Sequence, residues 1–237
     1  MQVGEQTENR FFSLLGEALR LLYEAERTEE TFLQNCLVTS SILTITYSLE
    51  AAANCILEAL EEPVNERQYD TLKKFELVLN KNTGKSLDKS CKEYQGIKNL
   101  IKLRNDSVHP KVSSKKIQYK SQKLEGELSW LHKSIEKKKL KKQNVQNMTY
   151  ERGRWSISEA ELAINAVVDF LNIYVCDWWE LDQDYRDYIF LPLTNIAYND
   201  DPRMYDCDTL RMLEIFKDRI QLKIVNLPSL PSSLSNF

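Results

Sequence analysis

Residues 31–49, TFLQNCLVTSSILTITYSL, carry no formal charge, and no other feature of the chain restricts its fold as much. A helix of that composition must be covered on most of its sides. Its content of Thr, Ser, Gln and Asn, and the Glu50 that follows at once, argue against a membrane span. The expectation is a buried core helix from about Glu29 to Glu62, ended by Pro63. Glu50 is the only charge between Thr31 and Leu57. A lone carboxylate in such a helix needs an ion pair or hydrogen bonds.

The rest of the chain also reads as helical. It holds only 6 glycines and 6 prolines in 237 residues, which favours long helices over a many-stranded β fold. Phe11, Leu14, Leu15, Ala18 and Leu22 recur at helical spacing over Arg10–Tyr23. Residues 67–81 give a third helix, with Leu72, Phe75 and Leu79 on one face and a stop at Asn82-Thr83-Gly84. Ser90–His109 gives a fourth, turning Tyr94, Ile97, Leu100 and Ile101 inward, with Val108 a further candidate. A loop and then a lysine-rich helix over residues 123–143 are expected next. Ser156-Ile157-Ser158-Glu159 forms a capping box before the apolar helix AELAINAVVDFLNIYVCDWW. A last amphipathic helix spans about Asp208–Lys223, before a loosely ordered tail from Asn226. The expected architecture is all-α: an antiparallel bundle of four to five core helices over residues 1–181, with a basic helical insertion at 111–147. Residues 182–237 form a C-terminal helical extension.

Several function classes fall away. The five cysteines are scattered with no CxxC pair, and there are two histidines, so no metal site is expected. The Glu180–Asp187 segment lacks the glycine of a calcium loop. Neither a GxxxxGK nor a GxGxxG phosphate loop is present, nor a GxSxG elbow, and no cofactor is expected. An odd cysteine count without a signal peptide fits the cytoplasm and no membrane association. Trp178 and Trp179, with Tyr185, Tyr188 and Phe190, are expected in core or dimer packing. The net charge of −3 hides a segregation: residues 1–62 hold 3 basic and 11 acidic side chains, residues 102–142 hold 13 and 4. The second region attracts a polyanion or an acidic protein surface, unless it is only a solvated lysine face.

The candidate site lies at the end of the fourth helix, in LIKLRNDSVHPK at residues 100–111. Pro110 disfavours helical geometry at His109, which places the histidine at the helix C-terminus. Asn105 and His109 share a face, whereas Arg104 and His109 lie roughly 140° apart around an unbroken helix. Arginine forks onto phosphate oxygens, and histidine gives or takes a proton near neutrality. Those are the parts needed to cleave RNA at its 2′-OH. A histidine that merely caps the helix is the competing reading.

IKLRNDSVHPK resembles the R-x4–6-H motif of HEPN domains, an all-α family found in many prokaryotic defence and toxin–antitoxin ribonucleases. Arg104, four intervening residues and His109 carry the match, and Asn105 fits the polar residue often found after the arginine. SLEAAANCILEAL, TLKKFELVLN and SISEAELAINAVVDFLNIYV are similar to flanking helices of such proteins, so the likeness spans about residues 10–178. The resemblance implies a metal-independent endoribonuclease with a site formed across a homodimer. It implies His109 as acid–base and Arg104 as phosphate clamp, with Asn105 and Glu50 orienting them. Asn54 lies one turn after Glu50 on the same face. The insertion is expected to contact RNA through Lys111, Lys115, Lys116 and Lys120, with Trp130 or Tyr119 stacking on bases, or to meet an acidic antitoxin or regulator. His132 is read as a surface residue. The alternative is a non-catalytic HEPN-like interaction or nucleotide-binding module in which Arg104 and Glu50 form a structural ion pair.

Overall fold

The computed structural model describes residues 6–7, 10–58, 68–109, 117–124, 127–134, 155–191, 193–194 and 207–227. Within them the fold is an all-α bundle, as expected. Helix α1 (Arg10–Arg27) and helix α2 (Thr31–Glu58) are joined by residues 28–30 and pack along each other. Helix α2 also meets α3 (Thr71–Thr83), α4 (Lys92–Val108), α5 (Ile157–Ile173) and α6 (Gln183–Phe190). It is the central element, which is why its sequence carries so little charge. The side chains of Val38, Ile42, Ile45 and Leu49 are buried. Three of its buried hydroxyls are satisfied by main chain: Ser41 Oγ donates to Ala18 O at 2.8 Å, Thr46 Oγ1 to Ile42 O at 2.8 Å, and Ser48 Oγ to Ile45 O at 3.0 Å. Among the described residues α2 is the one helix long and apolar enough to cross a membrane, and it is packed inside the protein.

Local signals set the helix ends. The Asp70 carboxylate accepts from Lys73 N at 2.9 Å to start α3, and Gly84, at φ 70°, ends it. The Cys91 sulfur accepts from Tyr94 N at the start of α4, and the His109 backbone N–H donates to Asn105 O at 2.9 Å at its close. At the start of α5, Ser156 N donates to Glu159 Oε2 at 2.8 Å. That helix runs into a π-helical turn over Tyr174–Trp178. There Phe75, Phe170, Tyr174 and Trp178 pack edge to face, and Tyr174 Oη donates to Phe75 O at 2.9 Å. Trp178 and Trp179 belong to this packing, as expected, whereas Tyr185 and Tyr188 are exposed.

Three expectations need correction. Residues 117–134 are not a loop and helix: strand β2 (Ile117–Leu124) pairs antiparallel with β3 (Glu127–Ser134). A glycine within the sequence of the expected helix disfavours it, and Ile117, Tyr119 and Trp130 are residue types that favour strands. Helix α7 (Cys207–Phe216) ends earlier than Lys223. Leaving the helix lets Ile220, Ile224 and Val225 enter the core. Val108 is exposed and does not turn inward. A second short ladder pairs β1 (Gln6–Thr7) with β4 (Leu193–Thr194).

The C-terminal helices share the bundle's core, through Phe190, Leu210, Met212, Leu213 and Phe216. Two polar anchors fix the chain beyond α7. Asp187, buried, accepts from Gln183 Nε2 at 2.9 Å and Asn226 N at 2.8 Å. Arg219 grips Glu161 of α5 with two bonds, at 3.0 and 2.6 Å, and Glu26 of α1 at 2.7 Å. The Arg219 hydrogen bonds hold the Glu161 carboxyl below its ordinary range. A lowered carboxyl contributes stability that is full above the unfolded value and is lost as pH falls through the folded one. Because Arg219 is partly open to solvent, Arg219→Ala is expected to cost only about 1 kcal/mol, or 2–4 °C of melting temperature. That difference, read by thermal melts, should be full at pH 7 and shrink below about pH 4.

Candidate functional site

The charged residue left in the uncharged helix finds its partner on the helix that carries the motif. Arg104 Nη2 donates to Glu50 Oε2 at 2.6 Å, and Arg104 Nη1 donates to Asn105 Oδ1 at 3.0 Å. The guanidinium is the more buried member, at 18% exposure against 45% for Glu50. Its Nε is buried without a hydrogen-bond partner. Three of the four expected residues therefore converge at the α2–α4 contact.

The fourth residue, His109, is exposed just past the last residue of α4. Its backbone N–H completes the helix, and its ring makes no side-chain hydrogen bond among the described residues. A capping role is thus met by the main chain alone. Among the described residues the ring does not meet the Arg104 side chain by hydrogen bond. That separation follows from five positions of helical rotation.

Two residues not foreseen from the sequence also engage α2 and its neighbours: Tyr47 at the α2–α4 contact and Lys74 at the α2–α3 contact. The Tyr47 ring lies over the guanidinium, with Arg104 Cζ 5.5 Å from its centroid. Tyr47 precedes Glu50 by three positions, so helical spacing alone puts both on one face. Lys74 of α3 is buried, and its ammonium donates to Asn54 Oδ1, one turn beyond Glu50. Asn54 therefore serves Lys74 and not the ion pair. The signal for Lys74 was weak, because a lysine beside Phe75 reads as a surface residue.

The expected RNA contacts fall partly outside the described residues: Lys111, Lys115 and Lys116 do so. In the hairpin, Lys120 pairs with Leu131, Ser121 with Trp130 and Tyr119 with His132. Among the described residues no group of three or more His, Cys, Asp or Glu is placed to hold a metal ion. One cleft, of about 610 Å³, opens between α1 and α7, lined by Ser13, Glu17, Arg20, Thr209 and Arg211 among others, and includes none of the motif residues. Comparison with protein-family models, curated proteins and solved structures finds no match for this chain.

Proposed function

We propose that the chain is a HEPN-type, metal-independent endoribonuclease of the cytoplasm, serving prokaryotic defence or a toxin–antitoxin pair. The observation that carries this reading is the meeting of Glu50, Arg104 and Asn105 beside a helix end that leaves the His109 ring exposed. An arginine fixed by a carboxylate and an amide is pre-set to receive a phosphate. In the reaction, a base takes the 2′-OH proton and the 2′ oxygen attacks phosphorus. The bond to the 5′ oxygen breaks as an acid supplies that oxygen with a proton. The products are a 2′,3′-cyclic phosphate and a 5′-hydroxyl. His109 performs one proton transfer, and the same residue of a second copy performs the other in a homodimer. Arg104 stabilises the charge that gathers on the phosphorane oxygens.

A second reading draws on the same ion pair. Both Arg104 Nη atoms are already engaged, as in a structural link between α2 and α4. The chain would then be a non-catalytic interaction or nucleotide-binding module, its lysine-rich segment meeting an acidic antitoxin. The deciding assay incubates purified protein with end-labelled single-stranded RNA in EDTA. Cleavage leaving 2′,3′-cyclic phosphate ends is the expected result. Intact RNA of varied sequence after incubation with folded protein overturns the ribonuclease and leaves the module.

A further inference from the structure

Two of the large apolar side chains left open to solvent stand within a turn of Arg104 or Glu50 along their own helices. Tyr47 is 40% exposed and Val108 is 42% exposed. Val108 lies one turn beyond Arg104 on the same face of α4, and Tyr47 one turn before Glu50 on α2. Tyr47 stands over the guanidinium, yet its hydroxyl makes no hydrogen bond among the described residues. A ring kept for packing alone would be covered. A ring kept to steady Arg104 would need no open surface. What the position offers is a partly open aromatic ring beside a cation.

From this we infer that Tyr47 is the base platform of the site, taking by stacking the nucleobase of a nucleotide beside the phosphate that Arg104 receives. The inference rests on the ribonuclease reading and adds a base contact to it. A base has an apolar π-face and a polar edge, so a tyrosine ring suits the face, while Glu50 and Asn105 are held by the guanidinium that the ring covers. Stacking accepts every base, so the contact favours single-stranded RNA without fixing its sequence.

The test compares the parent with Tyr47→Phe and Tyr47→Ala, each in a His109→Ala background so that binding is read without cleavage. The probes are a short single-stranded RNA and the same strand with one abasic nucleotide moved stepwise along it. Loss of a stacked base costs roughly tenfold in affinity by analogy with aromatic-to-alanine changes. Tyr47→Phe should bind the intact strand as the parent does, and Tyr47→Ala roughly tenfold more weakly. At one abasic position the parent should weaken to the level of Tyr47→Ala, and Tyr47→Ala should weaken no further there. Equal losses for Tyr47→Ala on intact and every abasic strand would mean that the ring only steadies Arg104, and would overturn the inference. So would unchanged binding by Tyr47→Ala. If the parent binds no RNA at all, the ribonuclease reading falls as well. Circular dichroism and sedimentation of each variant exclude unfolding, and a dimer lost on Tyr47→Ala together with abasic-insensitive binding would assign the ring to protein contact instead.

Discussion

His109→Ala should lower the RNA cleavage rate about 10²- to 10⁴-fold at saturating RNA, the range of a lost general acid–base group, with stability changed by under about 0.5 kcal/mol. The small stability term follows from the structure. The ring is exposed, and the only described bond made by His109 is from its backbone N–H, which alanine keeps. Arg104→Ala should lose about 10²- to 10³-fold, as when one transition-state donor is removed. Here stability should fall too, by about 1 kcal/mol, because Glu50 loses a charged partner. Arg104→Lys keeps the charge but lacks the planar fork, so it should restore stability more than activity. Glu50→Gln completes the set: it can still accept from Arg104, and orientation of the clamp predicts a larger effect on kcat than on melting temperature. Rates that track only the folded fraction in all four variants would reduce the site to an ion pair.

Some of this was written in the sequence and some was not. The nineteen uncharged positions of residues 31–49 announce the central helix, and the isolation of Glu50 announces that it must have a partner. Arg104 is named as that partner through the resemblance, which sets an acidic residue of an earlier helix near the motif's arginine, and not through local periodicity. Asp70, Gly84 and Ser156 mark helix ends through local chemistry that acts within a turn. The hairpin was misread because lysines and leucines at near-helical spacing outweighed one glycine, and cross-strand pairing is invisible to local periodicity. Lys74 and Tyr47 were missed for a different reason. Their roles come from neighbours on other helices, Asn54 and Arg104, and depend on how helices cross.

The largest stability effect should come from the aromatic cluster that seats α3 against α5. Phe75→Ala removes a fully buried ring that stands edge to face with Phe170 at 5.0 Å and Tyr174 at 4.8 Å. Truncations of this kind cost about 3–5 kcal/mol, so the midpoint should fall by roughly 10 °C in thermal melts. Tyr174→Phe at the same cluster keeps the ring and deletes only the bond to Phe75 O. That carbonyl lies in a helix and keeps its main-chain role, so the cost should be about 1 kcal/mol. A ratio of roughly three or more between the two losses means that packing, and not the buried hydrogen bond, holds α3 in place. Comparable losses would assign that role to the hydroxyl. Lys74 sits beside Phe75 in the chain and reaches across to Asn54. Loosening α3 should therefore disturb that contact while leaving Glu50 and Arg104 bridged between α2 and α4. Cleavage per folded molecule should accordingly survive Phe75→Ala at 25 °C, which separates the support of the fold from the chemistry of the site.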